Sequence, residues 1–339
     1  MSGGRRGDAE PLPRVHGGPA VGVARAAARR DPLPGRSNRP RRGFAAALRG
    51  PEGPVLVRDV LGRYPLFVER GGPEWAFDPT ELAEPVPVPA GHARGAVDGE
   101  PVGERVWSLP DPDPERATRT AVDAVTDAVR AALGTAADEP GGTAVAFSGG
   151  VDSALVAAGL GGPCYVAGFP DSHDVETALY LVAERAAADG FDRLAVGQGA
   201  DELFGGYQKV ANAPGNGRVE ADTARGARLE TVRSLPGGLE RDVLALRAAG
   251  VEPVAPLLDD RVVRAALSLP GELLVDGDER KVALRRAATG WVPASTAARD
   301  KKAVQYGSLV SRELDRLARR AGFKRRMDRH VDRYVESLL

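Results

Sequence analysis

The hydrophobic and polar positions fall into three regimes along the chain. Residues 1–42 carry no sustained apolar period apart from a candidate helix over 20–30, and their Gly, Pro, Arg and Ala content predicts a loosely ordered arm. From Gly43 the pattern becomes short apolar runs at 44–48, 55–58, 64–69 and 75–77, cut by Gly and Pro turns, which predicts a small β-rich domain over 43–110. Pro-rich punctuation at 86–92 and 110–114 closes it. Asp113 and Pro114 then suit a helix cap and first turn, and Val122, Val125, Val129 and Leu133 recur at helical spacing. Over 111–339, apolar strands at 143–147, 165–169 and 193–196 alternate with helices at 153–160 and 176–188, and the chain beyond Leu239 reads as mostly helical. Such alternation predicts an α/β domain with a doubly wound parallel sheet, its ligands beyond the C-terminal strand ends. Those ends are Ser148-Gly149-Gly150, Gly168-Phe169-Pro170 and Gly197-Gln198-Gly199.

Composition narrows the class without naming a function. The 42% hydrophobic and 27% charged content of the 339 residues is that of a soluble globular protein, and a net charge of −1 shows no bias toward nucleic acid or membrane. Eleven Arg against Asp8, Glu10 and Asp31 in the first 50 residues admit an RNA contact, but a solvated, Arg-biased tail is the preferred reading. The single cysteine, Cys164, excludes an internal disulfide and a cysteine zinc site, and its place at a strand start predicts a buried, inert thiol. No run approaches the ~18 apolar residues of a membrane span, nor is there the apolar core of a signal peptide, so a cytoplasmic protein is expected.

Chemistry enters at Thr143–Ser153. A buried strand, then Ser148-Gly149-Gly150, then a helix start is an anion site, because unpaired N–H groups and the helix dipole point at one place. Glycines let a phosphate approach, and Ser148 and Ser153 offer hydroxyls. Asp152 beside a phosphate needs a cation between them and reads as a Mg²⁺ ligand. The Lys of a G-x-x-x-x-G-K-[ST] loop is absent. Strand-SGG-x-DS instead resembles the pyrophosphate loop of the ATP-pyrophosphatase (PP-loop) superfamily, which implies ATP cleavage between the α- and β-phosphates.

A second motif, Val196-Gly-Gln-Gly-Ala-Asp-Glu-Leu-Phe-Gly-Gly-Tyr207, sets paired carboxylates after a strand. With Val254-Ala-Pro-Leu-Leu-Asp259, Arg280-Lys281…Leu284-Arg285 and Arg299-Asp-Lys-Lys-Ala-Val-Gln-Tyr-Gly-Ser308 in order after it, the chain is similar to the C-terminal synthetase domain of the asparagine synthetase family. The resemblance implies adenylation of a carboxylate, then displacement of AMP by an amine. It further implies that Asp152 and Asp201 hold Mg²⁺ on the pyrophosphate and that Ser148, Gly149, Gly150 and Ser153 cradle it. Phe147, Ala167 and Gly197 would then lie against adenosine. Lys301 would neutralise charge during both steps, although read alone Arg299–Lys302 is a solvated face. Asp259 reads as a helix N-cap, Phe204 and Tyr207 as packing residues, and His173 as loop surface.

Three departures qualify the resemblance. Gln198, the third catalytic candidate with Lys301 and Asp201, stands where asparagine synthetases usually carry Glu, and an amide cannot accept a proton at neutral pH. Val57–Phe67, Val88–His92 and Val106–Pro110 resemble parts of the family's glutaminase domain, but position 2 is Ser2 rather than Cys and the region is short for that domain, so it reads as degenerate. The nitrogen is then expected from ammonia, another amine or a separate glutaminase partner. The stretch between Asp174 and Gly199 is also shorter than in the family, which leaves the acceptor open. The leading expectation is an ATP-dependent amide-forming ligase with aspartate as default substrate, and a homodimer is compatible with it. A PP-loop enzyme modifying RNA and a non-catalytic nucleotide-binding regulator are the alternatives.

Overall fold

A computed structural model describes residues 14–16, 43–50, 53–95, 103–167, 175–213, 223–299, 316, 318–324, 330 and 333. The candidate helix at 20–30, Gly168–Pro170, His173 and Lys301 lie outside them.

The first part is built of antiparallel strands β1 (Arg14–His16), β2 (Ala45–Arg49), β3 (Pro54–Arg58), β4 (Phe67–Glu69), β5 (Trp75–Ala76), β6 (Pro85–Pro87), β7 (His92–Gly95) and β8 (Glu104–Arg105). One sheet has the order β1-β2-β3-β7-β8 and the other β5-β4-β6. Alternation along β2 decides its packing: Ala45 and Ala47 meet Leu56, Val68 and Phe77, while Ala46 faces the opposite side with Phe44, Val57 and Trp107.

The second part contains α1 (Thr118–Ala137), β9 (Thr143–Ala146), α2 (Val151–Leu160), β10 (Cys164–Tyr165), α3 (Val175–Ala188) and β11 (Arg193–Ala195). It continues through α4 (Ala200–Phe204), α5 (Gln208–Ala211), α6 (Ala224–Ala248), β12 (Glu252–Val254) and α7 (Asp260–Leu267). The short pair β13 (Val275–Asp276) and β14 (Glu279–Arg280) precedes α8 (Val282–Ala287) and α9 (Ala294–Ala297). Strands β10-β9-β11-β12 form a parallel sheet. Val145, Ala195 and Val254 pack toward α1 and α2, whereas Ala144 and Leu194 pack toward α3 and the end of α6, so helices cover both faces. Strand order reverses at β9, which opens a crevice beyond the C-terminal ends of β9 and β11.

Two local expectations need correction. The helix expected from Asp113 starts at Thr118, because Arg225 bonds Asp111 and the Pro112 carbonyl and the Glu115 N–H bonds Ser268, which ties the Pro-rich linker across the domain. Cys164 is exposed rather than buried, since β10 is the edge strand of its sheet. Asp259 is the expected N-cap, accepting from the Arg261 N–H at 2.9 Å. No helix among the described residues is long and apolar enough to cross a membrane.

Buried charge docks the β-rich part on the parallel-sheet part. The Asp59 carboxylate accepts from the N–H groups of Phe44, Leu61 and Arg63 and from Arg63 Nε. Arg63 Nη1 crosses to Asp260 Oδ1 at 2.7 Å and to the Leu258 carbonyl at 2.8 Å. Arg58 bonds the carbonyls of Gly62, Tyr64 and Val88 and pairs with Glu240 of α6.

Candidate active site

The loop after β9 begins as the sequence suggests. Phe147, partly buried against the core, donates its N–H to the Tyr165 carbonyl. Gly149 turns the chain at φ +75°, in the left-handed region that favours glycine, and Gly150 caps α2 without any side-chain cap bond. The Ser148 N–H donates to Ser153 Oγ at 3.1 Å, the two hydroxyls lie 3.1 Å apart, and Ser153 Oγ donates to the Gly150 carbonyl. The helix start thus presents backbone N–H groups toward the strand ends, while the hydroxyl of Ser153, 3% exposed, is spent on bonds within the loop.

Gly197 seals β11 against this helix, since a Cβ there would come within 2.9 Å of Asp152 Cβ and 3.1 Å of the Ser153 nitrogen. The turn at Gly199, φ +87°, then starts α4 and sets Asp201 in its first turn. Asp152 and Asp201 are brought together by a residue to which the sequence assigned no role. Lys281 Nζ lies 2.5 Å from Asp152 Oδ2 and 2.6 Å from Asp201 Oδ1, and its side chain is 6% exposed. Lys281 itself has φ +60°, alone among the described non-glycine residues in the left-handed region. Its N–H and that of Val282 both bond the Leu274 carbonyl, fixing the turn that aims it inward. Gly206 completes the fit: a Cβ there would fall 2.0 Å from Asp201 Oδ1 and 2.3 Å from Lys281 Cε, so the second glycine of ELFGGY leaves room for the pair.

Electrostatics follow from burial. Glu202 is pushed up by burial while accepting the Tyr207 hydroxyl at 2.6 Å. Burial also pushes the Tyr207 phenol up, and the charges of Glu202, Asp201 and Asp242 add to the effect. Tyr207 is therefore a hydrogen-bonded, half-exposed residue, while Phe204 is core. Gln198 Nε2 donates to Asp242 Oδ2 of α6.

The third segment reaches the loop through Arg285. Its guanidinium bonds the carbonyls of Arg280, Ala297 and Arg299, and Arg299 Nη1 in turn approaches the Gly149 carbonyl at 3.4 Å. Arg299, the first residue of the R-x-K stretch, thus lies beside the glycine loop. Ala167 lies two residues beyond β10, partly buried against the Ala144–Leu194 side of the sheet. Of the residues singled out from sequence, Phe147, Ser148, Gly149, Gly150, Asp152 and Ser153 follow β9, and Gly197, Gln198 and Asp201 follow β11, its neighbour in the sheet. Sequence reasoning missed Lys281 and Asp242. Lys281 had a signal in its Arg280-Lys281…Leu284-Arg285 segment, and Asp242 had none.

A Mg²⁺ ion suits this donor set. Two carboxylate oxygens already converge on one cationic group, and Mg²⁺ is commonly held by one or two carboxylates with phosphate oxygens completing the shell.

The fold defines an α/β protein with a strand, glycine turn and helix start at a topological switch point of its parallel sheet. A family model for asparagine synthase matches residues 164–233 and 216–335, together just over half of the chain. The chain belongs to the asparagine synthase family. A Methanocaldococcus jannaschii protein named as a glutamine-hydrolysing asparagine synthetase is 30% identical over 190 residues, covering 45% of this chain and 34% of that protein. Asparagine synthetase B of Escherichia coli is 31% identical over 137 residues, 39% of this chain and 23% of its own length. The similarity thus spans about a third or less of these curated relatives.

Proposed function

We propose that the chain is an ATP-dependent ligase that joins a carboxylate to an amine, releasing pyrophosphate and AMP. The observation that carries this reading is the Asp152–Lys281–Asp201 cluster set against the uncapped start of α2 at the strand switch point. The triphosphate would lie along Ser148–Gly150 and the first N–H groups of α2, with the Ser148 and Ser153 hydroxyls as donors. Asp152 and Asp201 would hold Mg²⁺, which neutralises phosphate charge. Lys281 adds positive charge where pyrophosphate departs. Phe147, Ala167 and Gly197 form the adenosine side. A carboxylate oxygen attacks the α-phosphorus, and the bond to the bridging oxygen breaks as pyrophosphate leaves. The amine nitrogen then attacks the acyl carbon and AMP leaves. Lys301, two residues beyond Arg299, is the proposed cation for charge on the tetrahedral intermediate.

Aspartate is the default carboxylate, on family membership. Ammonia is the proposed nitrogen source, with a separate glutaminase partner as its supplier where one exists. The 43–110 part is proposed to be a degenerate glutaminase-like unit. In its support, the Arg58 and Asp59 side chains are both engaged in turn and docking contacts.

The test is pyrophosphate release from Mg·ATP with aspartate and ammonium, with aspartate and glutamine, and with neither, in wild type and Asp152→Ala. Ammonium-dependent release that is lost in the variant is the expected result. Equal release with glutamine overturns the nitrogen assignment. Silence under every condition, extended to other carboxylates, overturns the ligase.

A further inference from the structure

Gln198 sits between two glycines at the mouth of the crevice. Gly197 is locked against Asp152 and Ser153, and Gly199 turns the chain into the helix bearing Asp201. Position 198 is therefore fixed by backbone on both sides, within three residues of Asp201. An amide at this point can donate and accept hydrogen bonds but cannot take a proton at neutral pH. Its Nε2 donates to Asp242 Oδ2, so the crevice acquires a carboxylate from α6, 44 residues further along the chain. Asp242 belongs electrostatically to the same crevice, because its charge acts on Tyr207 together with those of Asp201 and Glu202. It is half-buried between the core residues Leu239, Val243 and Leu246, so its backbone is held by packing while its carboxylate faces the strand ends. α6 is itself packed on α4 and paired to Arg58 through Glu240, which fixes the distance across this gap.

We propose that Asp242 is the carboxylate of the amine subsite, with Gln198 as its positioning residue. This rests on the ligase reading above. Asp242 attracts ammonium to the crevice, where ammonium releases one proton to water. As ammonia attacks the acyl-adenylate, the C–N bond forms and the C–O bond to phosphate breaks, its electron pair leaving on AMP. The proton shed by nitrogen passes to the Asp242 carboxylate and from there to water. The role predicts a nucleophile-selective defect. Ammonium depends on a carboxylate for attraction and proton removal, whereas hydroxylamine is a neutral nucleophile at neutral pH and depends on it far less.

Three rates on the full chain test this: carboxylate-dependent ATP–pyrophosphate exchange, amide formation from ammonium, and hydroxamate formation from hydroxylamine. For Asp242→Asn we expect exchange within about 3-fold of wild type, ammonium use down about 100-fold, and hydroxylamine use within about 5-fold. Asp242→Glu should restore ammonium use to within about 10-fold of wild type. Undiminished ammonium use, equal loss with both nucleophiles, or loss of exchange in Asp242→Asn each overturns the assignment while leaving the ligase standing. No exchange in wild type with aspartate or any other carboxylate overturns the ligase reading and this assignment with it.

Discussion

Two sets of charges are buried in this molecule, and they are buried in different ways. Arg58 and Arg63, in the β-rich part, spend their donors on carbonyls of nearby turns and on Glu240, Asp59 and Asp260, so each guanidinium is enclosed by acceptors that the fold itself supplies. Lys281 faces two carboxylates from separate elements beside a helix start with no side-chain cap. The first arrangement is closed and joins two parts of the fold. The second leaves donors and acceptors that a ligand can complete. Buried charge alone would not distinguish a brace from a binding site; the identity and origin of the partners does.

The largest effect should come from breaking the brace. Arg63→Met leaves Asp59 and Asp260 buried without their cation, and burial already pushes Asp260 up to about 6 with Arg63 in place. A loss of about 3–5 kcal/mol in urea unfolding is expected, with ATP affinity of the folded fraction unchanged. A parallel fall in ATP affinity would erase the distinction between the two regions.

Lys281→Met removes one positive charge from beside Asp152 and Asp201 and should lose stability in a way that a cation restores. In metal-free buffer, Asp152 and Asp201 would face each other at a cost of about 3 kcal/mol, largely recovered by millimolar Mg²⁺. The same Mg²⁺ should change wild-type stability little in the absence of nucleotide. A variant indifferent to Mg²⁺ would show that the two carboxylates do not form a cation site.

Much of this crevice was legible in the sequence because its first pieces are local. Strand, glycine turn and helix start are contiguous from Thr143 to Ser153, and again from Arg193 to Phe204, so Asp152 and Asp201 could be placed by reading along the chain. Lys281 could not, because it reaches Asp152 from 129 residues away through a left-handed turn that only the packing of Leu274 and Gly206 explains. Asp242 lies mid-helix among other charged residues, with nothing in the spacing to single it out. The late start of α1 and the exposure of Cys164 were hidden for a related reason, since both depend on which distant element sits alongside. The fourth strand, Glu252–Val254, falls in a stretch that reads as mostly helical, and pairing with β11 is what makes it a strand.

A smaller effect is expected at Gly206, where stability and binding should part company. Gly206→Ala forces a methyl group into the Asp201–Lys281 contact, an overpacking strain of about 1–3 kcal/mol. Because the displaced atoms are those proposed to meet phosphate, ATP affinity should fall by about 10-fold or more. Calorimetric titration with Mg·ATP measures it, and unchanged affinity would separate the pair from the nucleotide site.

The smallest effect lies on the brace side and is set by pH. His16 in β1 packs its ring on Phe77 at 3.9 Å and places Nδ1 2.9 Å from Arg247 Nη2 of α6, with Arg14 and Glu252 also near. Burial, and then the Arg247 charge, push its pKa down to about 4 from 6.5. The unfolded chain therefore takes up this proton first as pH falls, so the contribution of His16 is fully present above pH 6.5 and is lost as pH drops toward 4. With the ring only partly buried, solvent screening reduces the effect to about 1–2 kcal/mol across that window. Other carboxylates titrate over the same range, so the quantity to measure is the difference in unfolding free energy between wild type and His16→Gln at each pH. That difference should shrink steadily from pH 6.5 to pH 4, with ATP affinity of the two proteins equal throughout. A pH-independent difference would mean that β1 does not share in the brace, and unequal affinities would mean that the brace reaches the crevice through Arg247 and α6.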